Sequence, residues 1–177
     1  NPIKVAALPN VLEDMKLQRT RYGSVLGYYV NRGLATAEAV RSLVINGLRI
    51  DMIPADDTEH VAVFVISDER GKVIYAPCDV KPFPHSELFF GADVLIIGNT
   101  VIGETLKDGV VLDAENPLRE ELFVMDEILE LQKKYAIKEV IMTHLEEDWG
   151  KSYDDYKRLE EEYPNVRFAY DGMEIAL

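Results

Sequence analysis

A chain of 177 residues with 47% apolar side chains is long enough for one domain, 1–177, with a real core, or for part of a larger domain. An excess of 32 acidic over 19 basic residues gives a formal net charge of −13, which repels phosphate backbones and argues against non-specific nucleic-acid binding. The single cysteine, Cys78, excludes an intrachain disulfide, and no run approaches the ~18 apolar residues of a membrane span, so a cytoplasmic setting is expected.

Residues 3–8 read as a short buried strand, followed by a helix from near Val11 with Leu12, Met15 and Leu17 on its apolar side. A second apolar patch, 22–30, stops at Asn31-Arg32-Gly33, and 35–43 reads as helical with Thr36 as its cap. From Leu48 the period changes to two: 48–53 is a half-buried strand, and 61–66 and 72–75 form a hairpin around Ser67–Gly71, where Gly71 is expected at positive φ. The run 92–97 is apolar enough to be buried on both faces. A long helix is expected from Pro117 to Tyr135, a buried strand over 137–142 ending at Thr143-His144, a charged helix over 153–163, and strands at 166–170 and 173–177. Strands alternating with helices, plus one hairpin, predict a layered α/β domain on a mixed sheet.

There are three histidines to weigh. His144 ends an apolar strand, where α/β proteins usually place ligands, although a strand-end histidine bonded to a backbone carbonyl is an equal reading. Asp79 follows another strand; a carboxylate there can bridge two cations, or simply close a turn. His60 opens the hairpin that leads to Asp79, and the alternative is an exposed strand-start residue. His85 lies in a proline-rich loop and reads as a surface residue. Together, His60, Asp79 and His144 converge on one sheet edge, and imidazole plus bridging carboxylate is the ligand chemistry of two-metal hydrolytic sites. No Gly-rich phosphate loop is present, which sets aside a nucleotide-binding reading.

At this point the order of residues resembles the metallo-β-lactamase superfamily, especially its cyclic-phosphodiesterase branch from phosphonate metabolism. The match is carried by "GKVIYAPCD" ending at Asp79, "ADVLIIGNT" at 92–100, "KEVIMTHLEEDWG" at 138–150 and "FAYDGMEIAL" at 168–177. The resemblance implies a four-layer αββα sandwich of which this chain supplies about the C-terminal half. It also implies a metal-dependent hydrolase acting on a small phosphodiester or related ester through metal-activated water. Asp79 would bridge two divalent ions and His144 would bind one, with both serving catalysis. His60 would be the ligand before the hairpin, although the branch's pattern places that histidine near Thr58, with Asp57 as a substitute oxygen donor. Zn²⁺ suits imidazole ligands, with Mn²⁺ or Fe²⁺ as alternatives.

Two departures qualify the match. The superfamily's His-x-His-x-Asp-His motif is absent, and since the chain opens at Asn1 rather than at a methionine, the expectation is that it begins just after that motif. The histidine that the branch carries between the bridging aspartate and the last ligand is missing too, with Asp113, Glu115 or Glu120 as candidate replacements. The second reading is therefore a non-catalytic relative with an incomplete metal site, acting as a binding or structural subunit. Half a sandwich would also expose an apolar patch on the inner face of its sheet and would form homo-oligomers or associate with its other half.

Overall fold

The computed structural model describes residues 1–17, 19, 20, 23–76, 78, 80–98 and 100–177. Two chain regions build it. The first holds β1 (Ile3–Ala7), α1 (Pro9–Leu17), the two-residue strands β2 (Arg19–Thr20) and β3 (Gly23–Ser24), α2 (Val25–Asn31) and β4 (Ala35–Ala39). Ser24 caps α2, its hydroxyl accepting the Gly27 amide at 3.2 Å. β1 pairs in parallel with β4, from Ile3 opposite Ala35 to Ala7 opposite Ala39. The segment read from the sequence as a helix over 35–43 is thus a strand. Ala and Glu favour a helix locally, but five ladder positions with β1, more than thirty residues away, override that weak preference.

The second region forms one mixed sheet of seven strands. β5 (Ser42–Ile45), β6 (Leu48–Pro54), β7 (Ala62–Ser67) and β8 (Lys72–Ala76) meander antiparallel. β9 (Val94–Ile97), β12 (Glu139–Met142) and β13 (Val166–Phe168) then add in parallel, giving the order β13-β12-β9-β8-β7-β6-β5. Because neighbours in register share a face, Val65, Ile74, Leu95 and Val140 form one row of the core. Ile128, Leu129 and Leu131, with Phe89, Tyr135 and Trp149, pack on that core. The opposite face carries Phe64, Tyr75 and Ile96; it is apolar but only partly covered, and Tyr75 is 39% exposed. Apolar side chains are also exposed on the β1/β4 region, among them Ile3, Val25, Tyr29 and Leu34, around a groove of about 800 Å³ whose described lining has no Asp, Glu, Lys, Arg or His side chain.

Three further expectations are corrected. The helix predicted from Pro117 to Tyr135 is broken into α3 (Leu118–Glu121) and α4 (Met125–Lys134), with β11 (Phe123–Val124) between them, paired to β10 (Thr100–Val101). The cause is Lys81, whose ammonium donates to the carbonyls of Arg119 (2.9 Å) and Leu122 (2.9 Å) and to Glu127 (2.8 Å). Glu127 also accepts the Val124 amide at 2.9 Å and so starts the second helix. The tail 173–177 forms no strand; a turn from the Met173 amide to the Tyr170 carbonyl (3.0 Å) directs it elsewhere. Gly71 is not among the positive-φ residues: it is small because a Cβ there would lie 2.7 Å from Asp93 Oδ2.

The β12–β13 crossover is α5 (Tyr153–Glu162), started by a reciprocal cap. Asp155 accepts from the Ser152 amide (2.8 Å) and hydroxyl (2.7 Å), the Ser152 hydroxyl accepts the Asp155 amide, and Arg158 also reaches Asp155. The Ser152 hydroxyl and amide, then Arg158, hold the Asp155 carboxyl down at about 2, below its ordinary 3.8. A depressed carboxylate stabilises the fold above the unfolded value and loses that contribution as pH falls through the folded one. Asp155→Ala is therefore expected to lower the urea midpoint at neutral pH, and the gap to wild type should close as pH falls from about 4 to about 2. A gap that persists at the acidic end would show that the charge is not what Asp155 contributes.

Among the described residues, no helix is long and apolar enough to cross a membrane.

Candidate active site

β8, β9 and β12 run parallel, and their C-terminal ends, together with the start of β7, form one edge of the sheet. That edge is the usual ligand side of an α/β sheet. The Thr143 amide donates to the Ile97 carbonyl at 2.8 Å, closing β12 against β9. His144 follows immediately in the left-handed region, at φ 55°. A non-glycine residue held there costs on the order of 1–2 kcal/mol, and such positions cluster at functional sites. The chain then makes a turn of 3₁₀ helix, Glu147–Trp149, ended by Gly150 at φ 61°. Gly150 must be glycine for a second reason: a Cβ would come within 2.7 Å of the Lys107 Cβ, where the 103–112 loop crosses.

His144 opens onto a cavity of about 260 Å³. Leu106, Leu118, Leu122 and Trp149 supply its apolar lining, and Thr100, His144, Glu146 and Asp148 its polar lining. His144 Nε2 lies 2.9 Å from Glu146 Oε1. A carboxylate can only accept, so Nε2 is the nitrogen that carries a hydrogen toward Glu146. Metal-ligating histidines are commonly oriented by such a carboxylate. Lys107 fastens the loop over the cavity: its ammonium lies 2.7 Å from Glu147 and 3.5 Å from Asp148, and its amide donates to the Asp148 carbonyl at 2.8 Å. The Glu147 hydrogen bond raises the Lys107 ammonium above its ordinary value, and Lys107 in turn holds the Glu147 carboxyl below its own.

The other candidates lie elsewhere or beyond description. Asp79, the expected bridging carboxylate, lies outside the described residues; its neighbour Cys78 is half-buried. His60 sits at the same sheet edge, just before β7, but its Nε2 is 3.1 Å from Asp14, both side chains are about half exposed, and it does not line the cavity. Thr58 bonds to Asp56, with its amide at 2.8 Å, and Asp57 is exposed. His85 stacks on Tyr135 and contacts its hydroxyl at 3.2 Å. Asp113 accepts the Glu115 amide at 3.0 Å in a loop turn, and neither these two nor Glu120 lines the cavity.

Among the described residues, no three His, Cys, Asp or Glu side chains are grouped so as to hold a metal ion. His144 is one ligand-ready imidazole, and these donors by themselves do not fit a metal pair. The apolar wall was not legible in the sequence. Its only local signal is Trp149, the single tryptophan, five residues after His144. Leu118 and Leu122 fall at helical spacing in the run read as the long helix, but nothing in the sequence joins them to Leu106 or to His144.

A mixed α/β sheet with its parallel strand ends opening on a cavity defines a class of layered α/β protein, and solved structures narrow it. No family model matches the chain, and no curated protein matches it by sequence. Its fold is similar to that of a diphosphatase from the PhnP family, with TM-score 0.62 and 13% identity over 100% of this chain and 59% of that one. The metallo-β-lactamase fold protein YhfI from Bacillus subtilis matches with TM-score 0.62 and 14% identity, over 98% of this chain and 64% of its own. Zn²⁺-bound PqqB from Methylobacterium extorquens matches with TM-score 0.62 and 16% identity, over 100% of this chain and 66% of its own. The chain therefore has the metallo-β-lactamase fold, as its sequence resemblance implied, and spans less than two thirds of the length of these structures.

Proposed function

We propose that the chain is the cavity-bearing part of a metal-dependent hydrolase that cuts a phosphodiester or related ester of a small molecule. The observation that carries this reading is His144: a strained, carboxylate-oriented imidazole at the C-terminal end of a buried strand, beside a cavity. A diphosphatase and a Zn²⁺-bound protein among the structures of similar fold support the reaction class and the metal. Asp79 and His144 are the donors we assign, with His60 as a third, and two divalent ions, Zn²⁺ first, as the cofactor. The remaining donors would come from polypeptide outside these residues, either a further part of the same chain or an associated copy.

The test is elemental analysis of the purified protein beside Asp79→Ala and His144→Ala, with hydrolysis of bis(p-nitrophenyl) phosphate measured on each. Near-stoichiometric metal in the parent, lost from both variants together with hydrolysis, is the expected result. Folded protein without metal in every version would overturn the metal reading. It would favour a binding or structural subunit of the same fold, the second reading, which the lack of a three-donor group among the described residues supports.

A further inference from the structure

We propose that the cavity beside His144 is a subsite for one uncharged, ring-sized group of the ester, and that it discriminates against groups carrying a negative charge. The assignment deepens the hydrolytic reading above and rests on it for what lies next to His144.

Three observations carry it. The first is size: at about 260 Å³ the cavity is smaller than the ~300–1,000 Å³ that encloses a drug-sized molecule, so it suits a single ring rather than a nucleoside or a chain of sugars. The second is the wall. Leu106, Leu118, Leu122 and Trp149 all line the cavity, and Trp149 is only 6% exposed, so an entering ring exchanges water for apolar and aromatic contact. The third is charge. Glu146 and Asp148 are among the lining residues, and Glu147 stands between them in the chain. No Lys or Arg lines the cavity among the described residues, and Lys107 beside this turn is already engaged by Glu147 and Asp148. A carboxylate or terminal phosphate placed here would meet like charge without a free partner and would lose its hydration against leucine. A neutral ring meets neither penalty.

The probes are diphenyl phosphate and dimethyl phosphate, which carry the same anionic centre and differ only in the groups flanking it. Trp149 is the only tryptophan, so its emission reports this cavity alone. Diphenyl phosphate is expected to shift Trp149 emission and to bind about tenfold more tightly than dimethyl phosphate, and bis(4-carboxyphenyl) phosphate should lose that advantage. Leu118 is 42% exposed, so Leu118→Asp leaves the core intact; it should weaken diphenyl phosphate about tenfold, and Leu118→Met should restore binding. Equal affinity for the two probes, or no effect of Leu118→Asp, would overturn the subsite. The two readings fail separately. Ring-selective binding with no hydrolysis in any metal-loaded sample supports the subsite and defeats the hydrolase, whereas hydrolysis with equal KM for aryl and methyl esters defeats the subsite and leaves the hydrolase standing.

Discussion

Truncating Tyr135 to alanine is expected to lower the unfolding free energy by about 4 kcal/mol, a large fraction of the ~5–15 kcal/mol of a typical domain. Tyr135 is fully buried where α4 ends. Its ring meets Phe90 at 5.1 Å and Phe89 at 5.4 Å, both edge-on, with Phe83 at 6.2 Å and the His85 ring stacked at 6.1 Å. The backbone is engaged too, since its carbonyl accepts the Gly91 amide at 2.8 Å just before β9. The ring thus joins α4, the proline-rich loop and the entry to the central strand, and alanine would leave a hole that three separate segments must collapse to fill. Tyr135→Phe keeps the ring and removes only the hydroxyl contacts to His85 Nδ1 (3.2 Å) and the Pro84 carbonyl (3.4 Å). Half-exposed His85 can turn to water, so that change should cost about 1 kcal/mol. Urea unfolding of both variants checks this. A loss near 1 kcal/mol for the alanine variant would mean that the ring is not the junction described.

The same residues show what a sequence makes readable. Alternation over 48–53, the β-branched and aromatic run 61–66 and the turn residues Ser67–Gly71 before 72–75 announced the antiparallel strands. The apolar runs ending at Ile97 and Met142 announced the buried strands. What stayed hidden depends on partners distant in sequence. β4 exists because β1 lies beside it, and the break at 122–124 is enforced by Lys81, some forty residues earlier. Gly71 was legible as a glycine but not for its reason, which is the approach of Asp93. At the site, the strand end before His144 was visible in the chain, whereas its surroundings were not. Glu146 is a near neighbour, but Leu106, Leu118 and Leu122 lie well before it in the chain, and only the fold brings them to His144. His60 faces Asp14, a partner that no local pattern could suggest.

His144 offers a way to separate function from stability, because two substitutions there should differ in stability while losing function alike. In His144→Gly the left-handed strain is removed, worth on the order of 1–2 kcal/mol. Against this stand the extra unfolded-state entropy of glycine, about 0.5–1 kcal/mol, and the lost contact with Glu146. His144 and Glu146 are 45% and 54% exposed, and a pair that open is worth about 0–1 kcal/mol. These terms nearly cancel, so the glycine variant should be about as stable as the parent. His144→Ala keeps the strain, because φ remains 55° with a Cβ present, and should be about 1 kcal/mol less stable than the glycine variant. If the imidazole serves the reaction, both variants should lose hydrolysis alike, by about 100-fold or more. A stability order with alanine at or above glycine would show that residue 144 is not held left-handed. Hydrolysis surviving in the glycine variant would show that the ring takes no part. Equal loss of activity from two variants that differ in stability leaves the imidazole itself as the cause.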